Sequence, residues 1–505
     1  MGETFSLLLY GVAGVFTPTN MIAATVGTML GIIVGATPGL GPVTGLAVLL
    51  PLTFAVPPDT ALIMLAALYC SALNGGGIPA VLINVPGQAS SVLTAIDGYA
   101  ITKKGFPGKA LSICYISSTI SGFIAAAVLT IAGPILARVG LRMGPPELAL
   151  LIIFAMTSIG WLLGDDIPGG LLSMGLGIMF ATVGADVAAG HTRFHFRQPG
   201  LMGGIEMVPL VVGLYGFSHV IGMMVESFKK DSGDKTLQHV RIKDIFLSKE
   251  EWKLVLPASL RHSFLGTFIG VLPGAGATAS AFISYIFEKR WSKRPEEFGK
   301  GSMEGLTAVE SSNSAAATGS FAPLLSFGIP GSGATAVLLG GLMMWGVRPG
   351  PLLFTERPDI VWPLIASFYI VNVMAAVACY LLIPFSMRIS TVRNSVLAPV
   401  IFAICFMAAY TTSLSMFDVF FMIFVGIFGY LLSLAKVSTA PLLLAYVLTP
   451  LLERYVRQAL DMSRGDVSIF FRNAICWTLI SLTVIFMISP FIAKRIKAMR
   501  AKRQV

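Results

Sequence analysis

Two short phrases recur about half a chain apart, and each interrupts an apolar stretch. Gly31-Ile-Ile-Val-Gly35-Ala-Thr37-Pro38-Gly39-Leu-Gly41 is echoed by Gly266-Thr-Phe-Ile-Gly270-Val-Leu-Pro273-Gly274-Ala-Gly276, 235 positions later counting from Pro38 to Pro273. A second pair follows: Pro79 with Val85-Pro86-Gly87, and Pro323 with Ile329-Pro330-Gly331, 244 positions apart. The chain reads as a duplicated unit whose helices are broken by Pro-Gly at matching places. In a membrane protein, such matched breaks are the strongest sequence pointer to a transporter's binding site.

The membrane setting follows from composition. Of 505 residues, 55% are hydrophobic and 12% charged, against about a quarter charged in soluble domains. Apolar stretches long enough to cross hydrocarbon include Ile113–Leu136, Leu254–Leu272, Val361–Pro384 and Ile475–Ile492. The expected class is an all-α polytopic membrane protein of about 11 to 14 helical elements, some of them re-entrant, such as Ile78–Ile96 and Phe321–Met344. Residues 1–20 hold no Lys or Arg, so they lack the basic start of a cleaved signal peptide, and Met1 is expected to begin the mature chain. The five cysteines (Cys70, Cys114, Cys379, Cys405, Cys476) are scattered without zinc-ligand spacing and read as small buried hydrophobes.

Charge placement orients the unit. The long polar stretch Lys229–Lys253 separates repeat one, 20–227, from repeat two, 254–492. Segment 1–19 precedes them, 228–253 is a cytoplasmic linker, and 493–505 is a basic cytoplasmic tail. The first Pro-Gly hairpin, 21–56, has no cation on either flank, whereas the second, 254–287, has Lys and Arg on both. Lys and Arg beside a span mark the cytoplasmic side, so the first hairpin has its ends outside and the second has them inside. Lys103, Lys104 and Lys109 read as inside, and the neutral segment Arg348–Asp359 as outside. The two repeats are therefore expected to have inverted topology. The cationic segment 191–197 falls outside, against the rule.

A broken helix exposes N–H groups at one half-helix start and carbonyls at one half-helix end. The first suits a carboxylate and the second a cation. The four elements Thr37–Gly41, Asn84–Ser90, Leu272–Thr278 and Gly328–Thr335 are the expected substrate site. Its residues are Thr37, Pro38, Gly39, Gly41, Asn84, Pro86, Gly87, Ser90, Pro273, Gly274, Gly276, Thr278, Pro330, Gly331 and Ser332. Asn84, Glu310 and Asn313 are expected to hold a coupling ion, Na+ or H+. The alternative for Glu310 is a cap at a helix start, since Lys300 and Glu304 lie just before it. Asp97 reads as a turn residue; Asp165, Asp166 and Asp418 read as solvated mouths of spans. Apart from His191 and His195, which flank Arg193 in a loop, the histidines form no pair at helical spacing, and no metal beyond Na+ and no organic cofactor is expected. Two GxGxxA matches, starting at Gly274 and Gly331, lack the soluble βαβ context that would give them meaning.

The run Asn74-Gly-Gly-Gly-Ile-Pro79-Ala-Val-Leu-Ile-Asn84-Val-Pro86-Gly87, with Thr94-Ala-Ile-Asp97-Gly98-Tyr99, resembles the large membrane subunit of tripartite tricarboxylate transporters, the TctA family. The Pro-Gly phrases and the stretch Glu310 to Leu342 are similar to that family as well, so the resemblance spans essentially the whole chain. Where the family commonly has two adjacent Asn, this chain has Ser312-Asn313-Ser314. The resemblance implies a secondary transporter of a bacterial inner membrane, driven by an ion gradient. It also implies a small membrane subunit (TctB-like) and a periplasmic solute-binding protein (TctC-like) that delivers an organic carboxylate. In keeping with this, the sequence has no GxxxxGK[ST] phosphate loop. Homo-oligomerisation stays open, as does the choice between an elevator-type slide and rocking. The rival readings are a passive anion channel, a membrane enzyme and a non-transporting scaffold.

Overall fold

Proline and glycine set the element boundaries. In the computed structural model, which describes residues 2–37, 40–162, 167–186, 191–229, 245–274, 276–389 and 394–501, eight of the described α-helices have Pro at the first or second position. Pro costs nothing there, because its missing N–H would be unpaired anyway. The first half runs α1 (Gly2–Val15), α2 (Pro18–Ala36), α3 (Pro42–Leu49), α4 (Pro58–Ile83), α5 (Val92–Lys103), α6 (Pro107–Gly140), α7 (Pro145–Leu162) and α8 (Ile167–Ala181). A two-stranded hairpin, β1 (Gly184–Ala185) with β2 (Thr192–Arg193), follows. Then come α9 (Met207–Val211), a π-helical turn at Val212–Phe217 and α10 (Ser218–Lys229).

The second half runs α11 (Lys249–Val271), α12 (Gly276–Trp291), α13 (Met303–Gly319), α14 (Phe321–Phe327), α15 (Gly333–Met344), α16 (Leu353–Glu356), α17 (Pro358–Ile389), α18 (Asn394–Ser413), α19 (Met416–Leu434), α20 (Ala440–Met462) and α21 (Ala474–Ala501). Among the described residues, seven helices are long and apolar enough to cross a membrane, and seven shorter apolar helices accompany them. The all-α polytopic class expected from composition is the class observed. Residues 230–244 of the linker, Asp165, Asp166, Pro38 and Gly39 lie outside the described residues.

α4 and α13 form the centre. The apolar window of α4 is 94% buried inside the protein, against 39% for α19 at the periphery. α13 is rich in Ser, Thr, Asn and Ala, yet Gly305 through Gly319 are all buried. A helix this polar persists at membrane depth because protein, not lipid, surrounds it. α2, α6 and α17 pack around α4, while α11, α12 and α6 pack around α13.

Charged contacts join the ends of these helices. Asn20 Nδ2 donates to Asp59 at 3.3 Å, closing the two ends of the first hairpin. Lys109 pairs with Glu251 at 2.7 Å, bringing the start of α6 to the start of α11. Arg193 makes a bidentate pair with Glu453 (2.9 and 3.1 Å), and Arg457 reaches both Asp186 and Glu453 at 2.6 Å. The hydrogen bonds it donates to Glu453 push the Arg193 guanidinium up from its ordinary value.

Two readings of acidic residues are corrected. Asp97 is not a turn residue: it sits inside α5, fully buried. Its Oδ1 accepts the backbone N–H groups of Gly299, Gly301 and Ser302 (2.9, 2.8 and 2.9 Å), and its Oδ2 accepts the Tyr285 hydroxyl at 2.8 Å. Asp418 is buried as well, at 6% exposure, rather than solvated.

Candidate functional site

The GxxxG phrases are docking seams, and they dock identically. A Cβ placed on Gly31 would lie 2.5 Å from the Leu68 carbonyl oxygen, and one on Gly35 would overlap the Ala72 carbonyl, both on α4. A Cβ on Gly266 would lie 2.6 Å from the Ser312 carbonyl oxygen, and one on Gly270 would overlap the Ala316 carbonyl, both on α13. Gly31 and Gly35 are 235 positions before Gly266 and Gly270; Leu68 and Ala72 are 244 before Ser312 and Ala316. Both sequence offsets thus reappear in one pattern of backbone contact. Only glycine permits such an approach.

The second pair of Pro-Gly elements matches in conformation. Asn84 ends α4 in the left-handed region (φ 56, ψ 34), and Gly328, 244 positions on, ends α14 there (φ 70, ψ 24). The Val85 N–H donates to the Pro79 carbonyl at 3.2 Å, and the Ile329 N–H to the Pro323 carbonyl at 3.2 Å. This six-residue closure stops each helix and turns the chain back. Asn and Gly are the residues that adopt that conformation most cheaply. Gln88 and Ser332 then sit in the same extended conformation (φ −153 and −157) and open the next helical segments.

Within each half the two elements touch. A Cβ on Gly87 would strike the Gly35 carbonyl oxygen; one on Gly331 would lie 2.9 Å from the Gly270 carbonyl oxygen and 2.8 Å from Ser320 Cβ. The Gly276 N–H donates to the Gly331 carbonyl at 3.3 Å. Gly274 and Gly276 have positive φ (80 and 62), which the turn requires. The Pro273 carbonyl accepts the Ser158 hydroxyl of α7 at 2.5 Å. Thr37 is buried and spends its hydroxyl on the Ile33 carbonyl at 2.8 Å. Gly41 caps α3 with open space about it. Ser90 and Pro330 are buried, Pro86 is half-buried, and Thr278 and Asn84 are exposed.

Across the halves, the Tyr69 hydroxyl of α4 lies 3.4 Å from the Ser332 hydroxyl. A Cβ on Gly333 would lie 3.6 Å from Val43 of α3 and 3.9 Å from both the Tyr215 hydroxyl and Ala440. The starts of α3, α15 and α20 therefore converge beside Tyr215, which the π turn presents. Such turns often mark functional sites. Ser332 and Thr335 cap each other at the start of α15. Sequence reasoning missed Tyr69 and Tyr215, since neither stands in a motif.

The expected ion-binding residues separate. Asn313 is 1% exposed, and its Oδ1 has no hydrogen-bond partner among the described residues. Glu310 is 1% exposed and lies more than two turns into α13, past its Ser302 cap, so the helix-start alternative is excluded. Its carboxylate accepts the Thr94 hydroxyl of α5 and, at 3.5 Å, the Ser118 hydroxyl of α6. Asn84 is exposed and ends α4 in the left-handed conformation. A buried pair was also missed: His262 of α11 lies 2.7 Å from Glu288 of α12, and Arg261 reaches the same carboxylate at 2.5 Å. The pair spans 26 positions and shows no helical spacing.

Residues 21–444 match the tripartite tricarboxylate transporter TctA family. The chain belongs to that family. TctA proteins are the large membrane subunit of a three-part transporter, which makes this chain a multi-pass membrane component of tricarboxylate-type transport, with small-subunit and binding-protein partners implied. The chain is 38% identical over 484 residues, 95% of each sequence, to an uncharacterised 52.8 kDa protein of the TAR-I ttuC′ 3′ region of Agrobacterium vitis. It is 40% identical over 223 residues, 44% of this chain and 92% of the relative, to an uncharacterised protein of the TAR-II ttuC′ 3′ region of the same organism. No solved structure matches.

Proposed function

We propose that this TctA protein imports an organic di- or tricarboxylate across a bacterial inner membrane, coupled to entry of Na+ or H+. A periplasmic binding protein delivers the solute, and a small membrane subunit completes the assembly. The observation that carries this reading is the paired closure at Gly35/Gly87 and Gly270/Gly331, which packs the second Pro-Gly element of each half against the end of the helix leading into the first. Carboxylate groups meet the N–H groups at the starts of α3 and α15, beside Ser332, Tyr69 and Tyr215. The coupling cation takes Asn84, Asn313 or Glu310.

Inverted topology is supported by which ends meet. Lys109 joins Glu251, and Asp97 binds the 299–302 backbone, so segments assigned inside touch one another. Arg193, in the segment assigned outside, and Arg457 pair with Asp186 and Glu453. Alternating access then proceeds by movement of the α2–α4–α13 body against α7–α10 and α18–α20, the grouping that the helix contacts favour.

The test begins with a thermal-shift screen of the partner binding protein against di- and tricarboxylates. Flux of the stabilising acid is then measured in proteoliposomes holding the assembled complex. Flux that requires this chain supports the reading; its absence from a fully assembled complex favours a scaffold.

A further inference from the structure

Glu310 is a carboxylate enclosed by four helices. Thr94 comes from α5 and Ser118 from α6, and a Cβ on Gly77 of α4 would lie 4.0 Å from its Oε1 and 3.9 Å from Cys114. The titratable groups that face it are Cys114 and Tyr115 of α6 and Cys379 of α17. Those side chains, with Ile78, Val81 and Leu306, belong to one apolar cluster. Asp97, one turn beyond Thr94 on α5, is spent on the 299–302 backbone and Tyr285. From α11 and α12, His262 and Glu288 pair with each other. Among the described residues, no Lys, Arg or His side chain pairs with Glu310.

An ionised carboxylate in such a place is strongly disfavoured unless a cation neutralises it. A metal cation of the hard class collects several oxygen ligands. Here two hydroxyls, those of Thr94 and Ser118, bond the carboxylate, and the groups around it are the thiols of Cys114 and Cys379, the Tyr115 phenol and hydrocarbon. A proton needs no further ligand.

We propose that Glu310 carries the coupling proton of this transporter. The proposal rests on the importer reading above and names its coupling ion. The carboxylate takes H+ from the outer side to become the neutral acid and returns H+ to the inner side. Oε1 is held by the Thr94 hydroxyl, and Oε2, whose one partner among the described residues is Ser118 at 3.5 Å, bears the proton. The link to substrate is short. Thr94 lies in the first turn of α5, which begins just after the broken element ending at Ser90. Ionisation of Glu310 strengthens its bond to Thr94 and so acts on the element that holds the solute.

The experiment is infrared difference spectroscopy of the full chain in lipid nanodiscs over a pH series, in potassium and in sodium buffers. The expected result is a protonated-carboxyl band that disappears at high pH, is lost in Glu310→Gln, persists in Glu304→Gln and is the same in both buffers. Thr94→Val keeps the band but moves it to higher frequency, because the carbonyl loses its donor; this arm stands if Glu310→Gln does not fold. Identical wild-type and Glu310→Gln spectra, no frequency change in Thr94→Val, or loss of the band on adding sodium overturns the proposal. The band reports the carboxyl and not flux. A failed proposal therefore leaves the importer reading intact, whereas absent carboxylate flux with the band present sinks the importer reading alone.

Discussion

The Gly35 carbonyl oxygen occupies the space that a side chain on Gly87 would need, and Gly270 stands in the same relation to Gly331. Gly87→Val and Gly331→Val are expected to reduce carboxylate uptake at least about tenfold, since overpacking of this kind costs about 1–3 kcal/mol. Membrane insertion, followed by detergent extraction and size-exclusion profile, should be unchanged. Normal uptake by both variants would show that the paired closures are ordinary loops.

The seams beneath the closures are structural. Gly35→Leu and Gly270→Leu would drive a side chain into the Ala72 and Ala316 carbonyls. Both should lower the thermal unfolding midpoint of the purified protein or prevent its isolation. Gly175→Ala, in α8 with nothing within 4 Å of its added Cβ, should hold or raise that midpoint, because Ala gains about 1 kcal/mol over Gly within a helix.

Asp97 binds one half of the molecule to the other. Asp97→Ala would strand the N–H groups of Gly299, Gly301 and Ser302, at about 1–3 kcal/mol for each buried donor left unpaired. Faster proteolytic cutting within 292–302 and a lower unfolding midpoint are expected. Asp97→Asn keeps an acceptor for those donors and should lose less. Equal losses for the two variants would contradict the latch.

Sidedness can be read with cysteine labels, because the five native cysteines are buried. Gln198→Cys, exposed beside the β-hairpin, should react with a membrane-impermeant maleimide in intact cells. Lys293→Cys, exposed after α12, should react only after permeabilisation. The reverse pattern would invert the topology; labelling of both sites in intact cells would dismantle it.

The periodic part of the fold was legible in sequence because it is built from glycine and proline, whose backbone consequences are local. The recurring Pro-Gly phrases marked the breaks between helices before any partner was known. The partners of Asp97 were not legible. They are backbone groups about 200 positions away, and nothing near Asp97 distinguishes a buried acceptor from a turn. The His262–Glu288 contact was hidden for the same reason, since it depends on the α11–α12 crossing. Glu310 was legible as a candidate, but its two readings differed only in depth within a helix, which three-dimensional burial decides. The partner of Arg193 was hidden in the same way, since Glu453 stands 260 positions later.

The most direct test of the account is accumulation of a radiolabelled di- or tricarboxylate, recognised by the binding protein, into proteoliposomes carrying the assembled complex and an imposed ion gradient. Uptake to an internal concentration above the external one, collapsing when an ionophore dissipates the gradient, is the predicted result. Uptake that stops at equal concentrations and ignores the ionophore would make the chain a passive pathway and contradict the account.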